Sequence, residues 1–184
     1  MTTSDAQAAE RIRENLATVR EKIAAAAART GRNASQVRLI GVTKYVEPPL
    51  AQMLFEAGLT DLGESRPQEL WRKSTALTAL PVTWHLIGHL QRNKTKRTLQ
   101  AAAWIHSGDS LRLLEEIDCE SGPVIHPVLL EVNISRDATK HGFHPDEIEL
   151  FLPELIKLQN IDICGLMTMA ALEGGPDQIG RAHV

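Results

Sequence analysis

The chain has 184 residues, 43% of them hydrophobic, with 20 Lys and Arg against 23 Asp and Glu. That length and apolar content suffice to bury one core, and the near-neutral balance offers no global attraction to nucleic acid or to an anionic membrane surface. No apolar run approaches the roughly 18 residues that span a bilayer, and the opening MTTSDAQAAE lacks the basic and apolar regions of a signal peptide. A cytoplasmic protein serving a small molecule or another protein is expected.

In chain order, Ser4 with Gln7 has the spacing of a capping box. Ile12, Leu16, Val19 and Ile23 then recur at helical intervals until Gly31, which predicts an amphipathic helix over residues 5–29. Its stripe is short for a coiled coil, so packing on the domain is expected. Six apolar, β-branched runs follow, at residues 38–44, 61–64, 82–89, 103–107, 127–134 and 161–168. Between them lie helix-length segments: PPLAQMLFEAG, RPQELWRKSTAL, QRNKTKRTLQAAA, DSLRLLEEI and HPDEIELFLPELIKLQ, the last with a bend expected at Pro153. Strands alternating with helices predict an α/β fold with a parallel sheet of right-handed βαβ units. An open doubly wound sheet is complete with six strands, whereas a (β/α)8 barrel needs two further units and roughly 250 residues. The pattern alone does not choose. Cys119 and Cys164 form no C-x-x-C pair and are expected to be buried small hydrophobes.

Both architectures put ligands beyond the carboxyl ends of the strands. The residues there are Lys44, Glu64 with Ser65, Gly88 with His89, residues 107–109, residues 133–135 and residues 167–169. Lys44 ends the apolar run VRLIGVT and has two readings. Its stem can cover apolar surface while the ammonium reaches water, or a partly dry pocket can lower its pKa so that the neutral amine attacks an aldehyde. His85 inside WHLIGH fits a hydrogen-bonded core residue, and Trp84 fits packing. Arg92, Lys94, Lys96 and Arg97 have no interleaved aromatic residues, which favours a solvated helix face over an RNA-binding patch.

LIGVTK, DLGESRPQEL, WHLIGHLQRNK, LLEVNISRDATKHGF and CGLMTM occur in an order and at spacings that resemble the pyridoxal phosphate homeostasis proteins, the YggS/PROSC-like family. The resemblance implies a TIM-type barrel like the alanine racemase N-terminal domain, with pyridoxal 5'-phosphate held as a Schiff base on Lys44. It also implies cofactor contacts from Ser65, His85, Asn133 and Met167, with Ser135 and Lys140 orienting loops. Ser65 departs from the family's usual G-E-N, and a hydroxyl there reaches less far than an amide. The implied role is pyridoxal phosphate homeostasis by a carrier, with pyridoxal-phosphate-dependent apoenzymes as its partners. The alternative is an amino-acid racemase or decarboxylase using the same lysine. A racemase needs a second acid or base on the other side of the substrate, and Tyr45 is the one tyrosine in the sequence.

Relatives in that family continue beyond GLMTMA with the elements that complete the barrel and grip the phosphate. Residues 1–178 are therefore expected to form an incomplete barrel of about six βα units, without metal. Residues 179–184, IGRAHV, are expected to be a non-native tail, because a coding sequence for them resembles read-through into a sequencing adapter.

Overall fold

The computed structural model describes residues 3–135 and 141–169. Helix α1 (Thr3–Arg29) carries the expected stripe: Leu16 is buried and Ile12 and Ile23 are half-buried. With Val19, Leu16 and Ile12 face Leu39, Leu54 and Leu59 of the domain. Arg20 fastens the helix by donating from Nη2 to the Gly58 carbonyl at 2.7 Å. The helix stops where expected, at Gly31, whose φ of 66° is a left-handed conformation that glycine adopts without penalty. Its start differs. Ser4 lies inside the helix, so Ser4 and Gln7 are not a capping pair.

Strands β1 (Gly41–Val42), β2 (Asp61–Glu64), β3 (Thr83–Leu86), β4 (Trp104–Gly108), β5 (His126–Glu131) and β6 (Ile161–Met167) form one parallel sheet in the order of the chain. Helices α2 (Pro48–Glu56), α3 (Pro67–Ala76), α4 (Thr95–Leu99), α5 (Leu111–Ser121) and α6 (Ile148–Leu155) make the crossovers. A doubly wound sheet reverses its strand order at a switch point; this one never does, which decides for the barrel-type winding. Among the described residues β1 and β6 are the two ends of the sheet.

Register assigns the faces. Leu62, Leu86, Ile105 and Val128 face the helices and bury completely against Leu70 of α3 and Leu114 and Ile117 of α5. Each such side chain contributes about 1.5–3 kcal/mol over leaving it wet. The opposite, inner face carries Val42, Gly63, His85 and Trp104 at one level.

Several expectations need correction. The first strand is two residues rather than seven and is not buried on both faces, since Val42 is 52% exposed. It is an end strand whose single neighbour β2 has only four residues, so the ladder closes after the Thr43 amide reaches the Gly63 carbonyl at 2.9 Å. The segment around Thr95 is a 3-10 turn leading into a five-residue helix. Pro153 sits inside α6, in its last turn. Both cysteines are exposed: Cys119 lies on the outer side of α5, and Cys164 on the inner face of β6, which no further strand covers among the described residues. Trp84 is core, as expected. Among the described residues no helix is long and apolar enough to cross a membrane.

Candidate functional site

At the carboxyl ends of the strands, Lys44 follows β1 by two residues, and strand alternation puts it on the inner face with Val42. Its side chain is exposed, with Nζ 5.2 Å from the centre of the Tyr45 ring. Ser65 follows β2 and is half-buried. Asn133 follows β5; its amide donates to the Phe143 carbonyl at 2.9 Å and its Oδ1 accepts from the Ser135 hydroxyl at 2.9 Å. Met167, half-buried, ends β6 in register with Glu131. These four share one rim. His85 does not: it lies deeper, level with Gly63 and Trp104. Lys140 and the tail at 179–184 lie outside the described residues.

Behind Lys44, on the helix side of the sheet, Glu64, which the sequence places at a strand end, pairs with Lys73, which the sequence reading did not single out. Lys73 of α3 is 1% exposed and Glu64 of β2 is fully buried. Lys73 Nζ donates to Glu64 Oε1 and, at 2.6 Å, to the carbonyl of Thr43. The Thr43 hydroxyl donates to the same Glu64 oxygen at 2.7 Å. The backbone immediately before Lys44 is thus held by a buried ammonium. The available signal was that Lys73 sits between Leu70 and Leu77 on an apolar stripe.

Under the rim runs a second network. His85 Nε2 is 3.0 Å from Asp61 Oδ1, and His85 Nδ1 is 2.9 Å from His106 Nε2. Because the carboxylate can only accept, His85 Nε2–H donates to Asp61; burial favours the neutral form of both rings, in which His85 Nδ1 accepts from His106 Nε2–H. Burial pushes the His85 pKa down, against the pull of Asp61. Burial, then neighbouring His85 and Arg38, push His106 down to about 4. Arg38 stands 3.9 Å from Asp61 and stacks over Trp104 at 5.0 Å.

A pH dependence follows from the sign of these shifts. In the unfolded chain His106 takes a proton near pH 6.5, but in the folded chain only near pH 4. The stability due to its neutral form is present above pH 6.5 and is lost as pH falls toward 4. The loss should be about 2 kcal/mol by pH 4.5, with His85 acting in the same direction. Glu131, raised by burial and by Asp109, opposes it at the acid end. Urea unfolding of His106→Gln at several pH values isolates the effect: the variant should lose less stability on acidification than the parent, and parallel curves would refute the assignment.

At the far side of the rim, His89, Asp109 and His141 cluster above Glu131. The basic side chains of α4 disperse: Arg97 stacks on Trp71 at 4.3 Å and Lys96 pairs with Glu120 at 3.4 Å.

A singly wound parallel sheet with a lysine on the inner face just beyond its first strand defines a barrel-type α/β domain with its site at the strand ends. The family model described as alanine racemase, N-terminal domain, matches residues 8–183. The chain is 34% identical over 168 residues to the pyridoxal phosphate homeostasis protein of Aquifex aeolicus, covering 90% of this chain and 74% of that one. It is 33% identical over 167 residues to that of Escherichia coli, covering 88% and 71%. Among solved structures, PipY of Synechococcus elongatus with pyridoxal phosphate bound matches at TM-score 0.79 and 35% identity, over 93% of this chain and 76% of that one. Alanine racemase of Clostridium difficile, at TM-score 0.65 and 17% identity over 79% and 41%, shares the fold alone. The chain belongs to the alanine racemase N-terminal domain family and, within it, to the pyridoxal phosphate homeostasis proteins.

Proposed function

We propose that this chain binds pyridoxal 5'-phosphate on Lys44 and serves its homeostasis as a carrier, not as a turnover catalyst, with pyridoxal-phosphate-dependent apoenzymes as recipients in the cytoplasm. The observation that carries the reading is Lys44 itself: an exposed lysine on the inner face at the mouth, paired with no carboxylate among the described residues. Support comes from the homologues' names and from PipY, solved with the cofactor bound.

The residues present fit such a group. When bound, pyridoxal phosphate supplies an aldehyde carbon to which a neutral lysine amine adds with loss of water, giving a Schiff base. Lys44 presents that amine, and the buried Lys73 fixes the carbonyl one residue before it, which limits where the amine can reach. Ser65, Asn133 and Met167 belong to the same rim and are assigned contacts there. His85 is assigned the floor beneath, where its neutral ring, bonded on both sides, adds no charge.

Lys44→Ala tests the assignment. The purified parent incubated with pyridoxal phosphate should develop a visible absorption band that survives gel filtration, and the variant should not. Its fold should change by no more than about 0.5 kcal/mol, as for exposed positions generally. A band of equal strength in the variant would move the attachment elsewhere. Incubation with alanine separates carrier from enzyme: sustained, saturable racemisation or decarboxylation above that of free cofactor would replace the carrier reading.

A further inference from the structure

We propose that His89, Asp109 and His141 form a binding site for a divalent transition-metal cation on the rim, with Glu131 supporting it from below. The three residues come from separate connections: His89 after β3, Asp109 after β4, and His141 from the segment that returns beside the end of β5 through the Val132–Phe143 bridge. Their ligand atoms all lie within 4.8 Å of one another. Asp109 Oδ2 is 2.7 Å from His89 Nδ1 and 4.0 Å from His141 Nδ1. Around a tetrahedral ion with bonds of about 2.0–2.1 Å, donor atoms stand roughly 3.3 Å apart, and the observed separations bracket that spacing.

The two imidazoles stack with ring centres 4.0 Å apart and planes 13° from parallel, with Nδ1 of His89 at 2.7 Å and Nδ1 of His141 at 4.0 Å from the same carboxylate oxygen. An imidazole ligates in its ring plane, so binding one ion requires the exposed His141 ring to turn out of the stack. Two imidazoles and a carboxylate are a donor set for zinc, cobalt or nickel rather than for calcium or magnesium. The site is also negatively biased. The Asp109 side chain is 7% exposed and Glu131 is 8% exposed, and the two carboxylates repel each other across the cluster. A dication held beside the two carboxylates relieves that repulsion. None of these residues is used by the Lys44 reading.

Against this stands a hydrogen-bonded His89–Asp109 pair with a second ring stacked on it. Titrating the purified 184-residue chain with Co2+, without pyridoxal phosphate, distinguishes the two by the visible ligand-field band. One saturable equivalent is expected, with competition by Zn2+. His141 is 59% exposed, so His141→Ala should leave the fold intact while weakening cobalt binding by more than about tenfold, the loss usual even for outer-sphere partners. Asp109→Asn should do the same. His144→Ala, a nearby control, and Lys44→Ala should bind as the parent does, which keeps this outcome separate from that of the lysine assignment. No saturable band up to millimolar Co2+, or equal affinity in His141→Ala, overturns the site.

Discussion

Lys73→Met should destabilise the chain by about 3–5 kcal/mol, the usual consequence of removing one partner of a buried ion pair. Glu64 is fully buried and Lys73 is 1% exposed, so neither charge can turn to water when the other is lost. Methionine replaces the stem of the lysine but not its ammonium, and Glu64 is left with a single donor, the Thr43 hydroxyl at 2.7 Å. Its other oxygen, Oε2, already lacks a hydrogen-bond partner among the described residues. The Thr43 carbonyl also loses its 2.6 Å donor. Urea unfolding monitored by far-UV circular dichroism reads the effect as a lower midpoint with an unchanged slope. The double variant Lys73→Met/Glu64→Leu should recover much of the loss, because no buried charge remains and the site becomes apolar. A Lys73→Met variant within 1 kcal/mol of the parent would show that water reaches the pair. Since Thr43 precedes Lys44, the single variant should also bind pyridoxal phosphate more weakly under conditions where it is folded.

That pair marks the boundary between what the sequence reveals and what it hides. The alternation of six apolar runs with helical segments was legible because each strand is covered by its own crossover helix, a local pattern repeated along the chain. Lys44 was legible because a charge that ends an apolar run is conspicuous. Lys73 carries the same charge on the same kind of apolar stripe, between Leu70 and Leu77. Its role depends on Glu64, at the end of β2, and Thr43, just after β1, and the helical period does not identify those partners. His85 reads as a core histidine, and burial does lower its pKa, but the partners that orient its ring, Asp61 and His106, come from the strands either side, and Asp61 pulls the other way. The length of β1 and the exposure of Cys164 depend on what lies beside an end strand, which hydropathy cannot report. His141 meets His89 only because the Val132–Phe143 bridge folds its segment back over the rim.

Gly88→Ala should be the costliest change at the rim that alters no charge. A Cβ built on Gly88 would lie 2.2 Å from the Ser65 carbonyl oxygen and 2.9 Å from the Ser65 carbon atoms, all of them backbone. A flexible side chain could swing away from such a clash; a main-chain carbonyl can retreat only by moving the strand end that carries it. That end is anchored from both directions. The Glu64 carbonyl accepts from the Ile87 amide at 2.9 Å, and the Gly88 carbonyl accepts from the Ser107 hydroxyl of β4 at 2.7 Å. Opening a gap of about 1 Å between the ends of β2 and β3 must stretch one of these bonds, and Glu64 beside Ser65 is the acid of the buried pair. Overpacking of this kind costs about 1–3 kcal/mol and can exceed it where backbone must shift. At about 2–4 °C per kcal/mol for a chain of this size, the thermal midpoint should fall by roughly 5–10 °C. Pyridoxal phosphate binding should weaken as well, because the shift moves Ser65 relative to Lys44. Measured at a temperature where both proteins are folded, an alanine variant with the parent's midpoint and the parent's affinity would mean that the two strand ends separate freely, and that their close approach does not shape the site.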